Sequence, residues 1–466
     1  MALSRIWSAF VIVAVLVASL RIVASDNKMI FSSMVTGKSG DTIHLRQTDT
    51  TTFSEIQLHQ LDSLGTMAMG NNSVKRTSNG KLEYYQVQNA DGIIETCKSA
   101  VNISIGLIGI MALFMGFMSI AERAGGIRLL SKIIGPFFSR LFPELPKGHP
   151  AMGHMMMNFS ANLLGLDNAA TPFGLKAMQS LQEINPSAER ASNAQIMFLC
   201  LHAAGFSLIP VSVIAVRAAL RSANPTDIFV PCMITTFVAT MAAMFIVSYK
   251  QKINLLQPVI IAWVGGFSAL IVLLVIYLNR LSVDGIQTFS SILSNGLILL
   301  IFLLIILGAL YKKIDVFDAF IDGAKGGFET AVKIIPYLVG MLVAISLLRT
   351  SGSFDMVIDG MKTFFAYLGM DTRFVDALPT ALIRPLSGGG ARGMMVSTMT
   401  TFGADSFPGR LSSIMQGASD TTFYVIAVYF GAVNIKDTRY AVGAMLLADL
   451  VGVITAILLA YMFFGR

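Results

Sequence analysis

Charged residues are scarce in this chain. Of its 466 residues 13% are charged and 54% are hydrophobic, and the mean hydropathy is +0.69. A soluble domain carries about 25% charged residues, so too little polar surface remains here to cover a soluble globule. Cysteine is rare as well. Cys97, Cys200 and Cys232 stand apart without C-x-x-C spacing, which indicates neither a disulfide framework nor a zinc site. His149 and His154 in "HPAMGH" come closest to a ligand pair but have no third ligand of the right type nearby, so no metal or other cofactor is expected. The chain lacks an H-E-x-x-H motif and a G-x-S-x-G elbow, and Ser387 has no evident base; it does not read as an enzyme. Its net charge of +7 is scattered over the ends of apolar runs and forms no basic patch with interleaved aromatics, which argues against a nucleic-acid partner.

Long apolar runs are what the chain has in quantity. A helix needs about 20 apolar residues to cross the hydrocarbon, and the candidates are Ile6–Ala24, Val101–Ala121, Ala194–Val216, Phe229–Tyr249, Leu255–Leu278, Leu297–Tyr311, Ile334–Leu348, Leu411–Val433 and Ala441–Phe464. They predict an all-α polytopic membrane protein whose main partner is the lipid bilayer. Residues 1–25 read as a retained transmembrane helix rather than a signal peptide cleaved near Ser25, because the matching run in the second half is internal. Residues 26–96 are the one long polar stretch, with strand-like pieces such as "KLEYYQVQ" between Gly, Asn and Ser turns. They read as a small extramembranous insertion, partly β or flexible.

The chain is written twice. Lys98 pairs with Lys325, Gly125 with Gly352 and Phe137-Phe138 with Phe364-Phe365, always 227 positions apart. A Gly/Ala-rich interruption follows in each half, then a polar-studded helix, a short charged link and a final apolar helix. The predicted division is 1–25, 26–96, a first repeat over 97–250, a linker helix over 251–295 and a second repeat over 296–466. Four crossings and one re-entrant segment per half return each half to its own side, so the added crossing at Leu255–Leu278 inverts the second copy. Arg123, Arg128, Lys132, Lys250, Lys252, Lys312 and Lys436 then fall on the cytoplasmic face, while Arg217, Arg221, Arg349, Arg373 and Arg410 run against that rule. Inverted repeats with discontinuous helices at mid-membrane are a recurrent plan of secondary transporters.

The interruption "IRPLSGGGARG" matches G-x-G-x-x-G, but no strand precedes it and no Lys-Ser/Thr follows, so neither a dinucleotide loop nor a P-loop is supported. A break in a membrane helix explains more of it. Pro385 removes a donor and Gly388, Gly389 and Gly390 favour non-helical torsions. Open backbone within a membrane is tolerated only inside protein or along a wet cavity. Arg384, Ser387 and Arg392 flank the glycines; Asn162, Asp167, Asn168 and Thr171 occupy the break of the first half; Gln416, Asp420 and Thr421 lie in the polar-studded helix, where the spacing of Gln416 and Asp420 puts both on one helical face. These are the candidate substrate-binding residues. The bland alternative is close packing at the glycines with an Asp167 ion pair to Arg384 or Arg392. His202 reads as a hydrogen-bonded core residue, and Asp449 as a partner for an arginine.

"HPAMGHMMMNFSANLLGLDNAATPFGLKAMQSLQEIN" in the first half and "ALIRPLSGGGARGM", "DSFPGRLSSIMQGASDTTFYVIAVYFGAVNIKDTRYA" and "LLADLVGVI" in the second resemble the spore maturation proteins, of A and B type respectively. These belong to the nucleoside-recognition, or gate, domain family, and the resemblance covers most of residues 92–250 and 296–464. It implies a bacterial inner (plasma) membrane protein in which both types are fused. A transporter-like protein that binds or moves a small polar solute, a nucleoside being one candidate, is the expected function. A non-transporting scaffold or regulator that recruits a partner through 26–96 is the alternative, and a homo-oligomer stays open.

Overall fold

The computed structural model describes residues 2–24, 29–37, 42–48, 66–69, 72–76, 82–87 and 92–465, the last apart from 147, 165–166 and 282. The chain begins with α1 (Ala2–Ala24), α2 (Ile30–Thr36) and strands β1 (Thr42–Thr48), β2 (Thr66–Met69), β3 (Asn72–Arg76) and β4 (Leu82–Val87). The first copy of the repeat follows with α3 (Ile93–Arg123), α4 (Gly126–Phe138), α5 (Pro150–Leu163), α6 (Asp167–Glu183), α7 (Asn193–Ala204), α8 (Val211–Ala219) and α9 (Phe229–Gln251). After α10 (Pro258–Asn279) and α11 (Val283–Tyr311) the second copy runs α12 (Val316–Thr350), α13 (Ser353–Tyr367), α14 (Leu378–Ile383), α15 (Gly388–Phe402), α16 (Phe407–Gly417), α17 (Thr422–Val425) and α18 (Ala441–Phe464). Among the described residues, α3, α9, α10, α11, α12 and α18 each contain a stretch long and apolar enough to cross a bilayer. The protein is a multi-pass helical membrane protein. Among the described residues the strands form one antiparallel sheet in the order β1-β4-β3-β2, within the polar insertion.

The repeat is legible in backbone torsions. Gly125 (φ 83°) and Gly352 (φ 78°), 227 positions apart, both adopt the left-handed conformation that turns a long helix into a shorter one. The two long helices α3 and α12 cross antiparallel and in close contact. Gly327 meets Met111 and Ala112, whereas Gly323 meets Met115 and Ser119 and Phe320 meets Gly116, so numbers rise along α3 as they fall along α12. A Cβ on Gly327 would lie 2.6 Å from the Met111 carbonyl oxygen; small residues are what let membrane helices approach this far. Each long helix also receives the leading helix of the other half. Trp7 of α1 donates to the Gly340 carbonyl of α12 at 2.8 Å, and Phe302 of α11 stacks on Phe117 of α3 at 3.8 Å between centroids.

The closing helices α9 and α18 pack together and also run in opposite directions. Gln251, at the end of α9, donates to the Tyr440 hydroxyl at the start of α18, 2.9 Å away. Asp227, just before α9, pairs at 2.7 Å with Arg410, whose guanidinium lies over the Phe464 ring at the end of α18. Equivalent helices therefore point opposite ways, and the copies are inverted.

At each end of α9 a loop of one copy clasps a loop of the other. Arg217 is fully buried and pairs with Asp227 at 2.8 Å and Asp405 at 3.0 Å. Ser222 donates to Asp405 at 2.5 Å and the Ala223 N–H donates to it at 2.7 Å. Burial opposes ionisation of Asp405, but the Ser222 hydroxyl, the Arg217 charge and the Ala223 amide together hold its carboxyl below the usual carboxylate range. Three of the five arginines that run against the charge rule are thus paired: Arg217 and Arg410 with these carboxylates, and Arg373 with Asp371 at 2.7 Å. The second clasp is exposed. Lys436 pairs with Glu189 at 2.5 Å, Arg190 with Asp437 at 3.2 Å, and Arg439 donates to Asn193 at 2.9 Å. The 23 residues of α9 place the clasps about 34 Å apart at 1.5 Å per residue.

Two expected spans are corrected. Ala194–Val216 and Leu411–Val433 are not continuous helices: the first is interrupted over 205–210 and the second over 418–421. Gly205 (φ 34°) ends α7, and Pro210 lacks the N–H that would continue it. After α17 the chain passes through a π turn (Ile426–Phe430) and a 3-10 turn (Gly431–Val433). The apolar run lengths were right, but hydropathy is blind to a break inside a run.

Two outcomes check this architecture. Arg221→Cys and Lys250→Cys, at opposite ends of α9, should react with an impermeant maleimide from opposite sides of sealed vesicles. Arg217→Met, which strands two buried carboxylates, should destabilise the protein by about 3–5 kcal/mol, read as a lowered unfolding midpoint in detergent.

Candidate functional site

Four chain breaks meet in one place. The α5 helix gives way to α6 after Leu163, the α14–α15 hairpin turns over 384–387, and the α7–α8 and α16–α17 helices are interrupted as described. Their open peptide groups bond to one another. Leu208 N–H donates to the Leu163 carbonyl at 3.0 Å, and Phe423 N–H donates to the Pro385 carbonyl at 2.9 Å, so in each copy the interrupted helix bonds to the hairpin turn. Asp420 N–H donates to the Ala203 carbonyl at 2.7 Å, which ties the second copy to the first.

Polar side chains gather at this junction. From the first copy, Asn158 and Asn162 reach Nδ1 of His202 at 3.0 and 2.8 Å. Asn158 Nδ2 also donates to the Ala170 carbonyl at 2.7 Å. Thr171 and Asn158 hydrogen-bond with the Tyr429 hydroxyl, and the Tyr429 ring meets the His202 ring edge-on at 4.8 Å. Nε2 of His202 faces Asp420 at 3.9 Å. From the second copy, Arg384 donates to the Ser419 carbonyl and, at 3.4 Å, to the Thr421 hydroxyl. Thr422 donates to Asp449 at 2.6 Å. Gln416 Nε2 lies 3.4 Å from the Gly388 carbonyl, while its buried Oε1 has no hydrogen-bond partner among the described residues.

The glycines divide by role. A Cβ on Gly388 would lie 2.7 Å from the Thr421 hydroxyl and 3.0 Å from Arg384 Nη1, so this position must be bare for Arg384 to reach across. Gly390 and Gly393 instead press on Met341, and Gly389 lies near Tyr337. Ser387 caps α15, its Oγ accepting from Gly390 N–H at 3.0 Å. Arg392 sits half-buried one turn further along α15. Asp167 and Asn168 open α6, and their side chains lie outside the described residues. Gln416 and Asp420 do not share a helical face as their spacing suggested, because α16 ends at Gly417 and Asp420 belongs to the break. Asp449 accepts from Thr422 and lies within the field of the Arg384 charge.

Asn158 and Tyr429 join the junction without having been candidates from sequence, and His202 is the hydrogen-bonded core residue its sequence suggested. Asn158 and Asn162 carried a signal, since their four-residue spacing in "NFSAN" puts two amides on one face of an apolar helix. Tyr429 carried none, standing in "YVIAVYF" without a polar neighbour. Beside the junction a cavity of about 350 Å³ opens among Phe137, Phe159, Phe206, Phe237, Trp263 and Phe267, with Asn162 in its wall. Among the described residues no three His, Cys, Asp or Glu side chains form a metal-sized group.

Comparison with known proteins fits this architecture. The gate model, described as nucleoside recognition, matches residues 104–220 and 331–436, and the two segments begin 227 positions apart like the internal repeat. Spore maturation protein B of Bacillus subtilis (strain 168) is 47% identical over 173 residues, 37% of this chain and 96% of that protein. Spore maturation protein A of the same organism is 40% identical over 159 residues, 34% of this chain and 81% of that protein. The crystal structure of the Alcanivorax borkumensis YdaH transporter superposes with a TM-score of 0.43 at 15% identity, covering 88% of this chain and 96% of that one. With one relative matched over nearly its whole length and a gate segment in each inverted copy, this chain belongs to the nucleoside-recognition gate family, in its spore maturation branch.

Proposed function

We propose that the protein is a carrier that binds a small polar solute, of the nucleoside class, at the junction of the four breaks and moves it across a bacterial inner membrane. In this reading residues 97–250 and 296–466 are the two gate repeats, 251–295 links them, 1–25 anchors the chain and 26–96 is the extramembranous insertion. The observation that carries the proposal is the incomplete satisfaction of polar groups at mid-membrane. Gln416 is 4% exposed and its Oε1 lacks a partner among the described residues, while the Asp420 side chain four positions on is 46% exposed. A buried unpaired acceptor costs about 1–3 kcal/mol, a cost that a bound solute with N–H or O–H donors would remove. Polar groups inside membranes usually mark a substrate path. A nucleoside matches these groups: its ribose hydroxyls suit the Asp420 carboxylate, and its base edge offers both donors and acceptors to the Gln416 amide, Thr421 and Arg384. Asn162, Thr171, Ser387, Gly388 and Arg392 belong to the walls of the same site, with Asp167 and Asn168 at its first-copy rim. Inversion supplies the rest, since two opposed copies around one site can expose it to either side in turn.

Uridine counterflow into proteoliposomes tests the carrier. Asp420→Ala and Arg384→Ala should each reduce initial flux roughly 10- to 100-fold, the equivalent of losing a charge-assisted hydrogen bond; unchanged flux in both would remove the site. In a thermal-shift screen of purified protein, a nucleoside at 100 times its Kd should stabilise the fold by about 2.7 kcal/mol, with amino acids giving no comparable shift.

A further inference from the structure

We infer that the site carries a proton as co-substrate, held between Nε2 of His202 and the carboxylate of Asp420; the inference rests on the carrier reading above. It begins with the orientation of one amide. Asn158 Nδ2 donates to the Ala170 carbonyl at 2.7 Å, and a carbonyl only accepts, so the amide cannot turn over. Its Oδ1 therefore faces Nδ1 of His202 at 3.0 Å, and that oxygen also only accepts. Nδ1 must carry the ring hydrogen. Asn162 places its amide Nδ2 2.8 Å from the same nitrogen; no second side-chain bond among the described residues fixes this amide, so an N–H on Nδ1, as Asn158 demands, requires it to turn over and present Oδ1 instead.

The consequence falls on the other side of the ring. With the hydrogen on Nδ1, the neutral imidazole presents a bare lone pair at Nε2, and what it faces at 3.9 Å is Asp420. Two acceptors confront each other across a gap that only a hydrogen donor can fill. Adding one proton to Nε2 converts this into an N⁺–H facing a carboxylate and takes the charge of the pair from −1 to 0, with no bond broken elsewhere. A hard cation such as sodium prefers all-oxygen ligands, which a ring nitrogen does not supply.

Placement gives the proton a route and a purpose. The Asp420 side chain is 46% exposed and that of His202 is 4% exposed, so the proton enters by the carboxylate and is stored on the ring. The groups facing the pair are few. α5 contributes the two amides and α9 the Thr240 hydroxyl, bonded to the Ala204 carbonyl. Tyr424 and Tyr429 follow the second break, Arg384 approaches through Ser419 and Thr421, and Asp449 is held on α18 by Thr422. His202 belongs to the first copy and Asp420 to the second. The proton therefore bridges the two bodies that move against each other in a carrier, and Asp420 cannot hold it and a solute hydroxyl with the same lone pairs.

The test uses the full chain in lipid bilayers with ¹⁵N-labelled histidine, His202→Asn assigning the His202 signals among five histidines. Nδ1 should be protonated throughout, while Nε2 passes in one step from imine-like to amine-like between pH 9 and pH 5. Asp420→Asn should move that step by about one pH unit or more. An Nε2 that keeps a single state over this range, or a step that Asp420→Asn leaves in place, would overturn the inference. A second arm measures uridine in proteoliposomes. Accumulation driven by a pH gradient should fall at least tenfold further than counterflow does in His202→Gln, and accumulation driven by sodium alone would also overturn it. If wild-type counterflow is absent the carrier reading fails, while the nitrogen titration still decides whether the proton is held.

Discussion

A peptide group inside a bilayer has no water to bond with, and every feature of this protein's centre follows from that constraint. Gly205, Pro210 and Pro385 open helices where open backbone is most costly, whereas Gly388 to Gly390, expected to open the chain, form the first turn of α15. The chain meets the cost by bringing the openings together. Leu208 bonds to Leu163, Phe423 to Pro385 and Asp420 to Ala203, so each gap supplies what another lacks. Polar side chains can then enter the same region, because the break has already made it polar.

Inversion is what lets the gaps meet. Each copy places its hairpin turn and its interrupted helix partway along the bilayer-crossing direction, and turning one copy over brings both sets to the same depth. The antiparallel crossing of α3 with α12 holds the arrangement, and it requires Gly323 and Gly327 where the backbones approach. The two inter-copy clasps are formed by corresponding loops but differ in physics. One buries Arg217 among two carboxylates, and the other leaves Lys436 and Glu189 largely exposed, at 74% and 62% of their side-chain surface. A buried set of charges resists opening far more than an exposed pair screened by solvent. The faces of the protein are thus unequal although the copies are built alike.

The aromatic cavity next to the junction belongs to the same logic in reverse. Its rings come from α4, α5, α9 and the linker helix α10, and the loop after α7 adds Phe206. The linker helix has no counterpart in the second copy, so the two-fold plan is broken on this flank. Among the described residues of the wall Asn162, Thr240 and the Trp263 indole carry polar side-chain N or O atoms, and the rest are apolar or glycine.

Much of this was written in the sequence in readable form. Composition and run length determined a multi-pass helical membrane protein, because the bilayer demands about 20 apolar residues per crossing whatever the fold. The constant spacing between Gly125 and Gly352 determined the repeat, and Pro385 determined that a helix opens, since it acts on its own backbone; the glycines after it proved helical, and Gly388 is bare to let Arg384 pass. The partnerships needed the folded chain. Gln416 and Asp420 looked like neighbours on one helix until the break at 418–421 separated them, and Arg217 looked misplaced until Asp405, nearly two hundred residues away, neutralised it. His202 read as an inert core residue because the carboxylate opposite it comes from the other copy. Local torsion and burial are properties of a residue and its near neighbours, whereas a site between inverted copies is made by contacts that no local pattern contains.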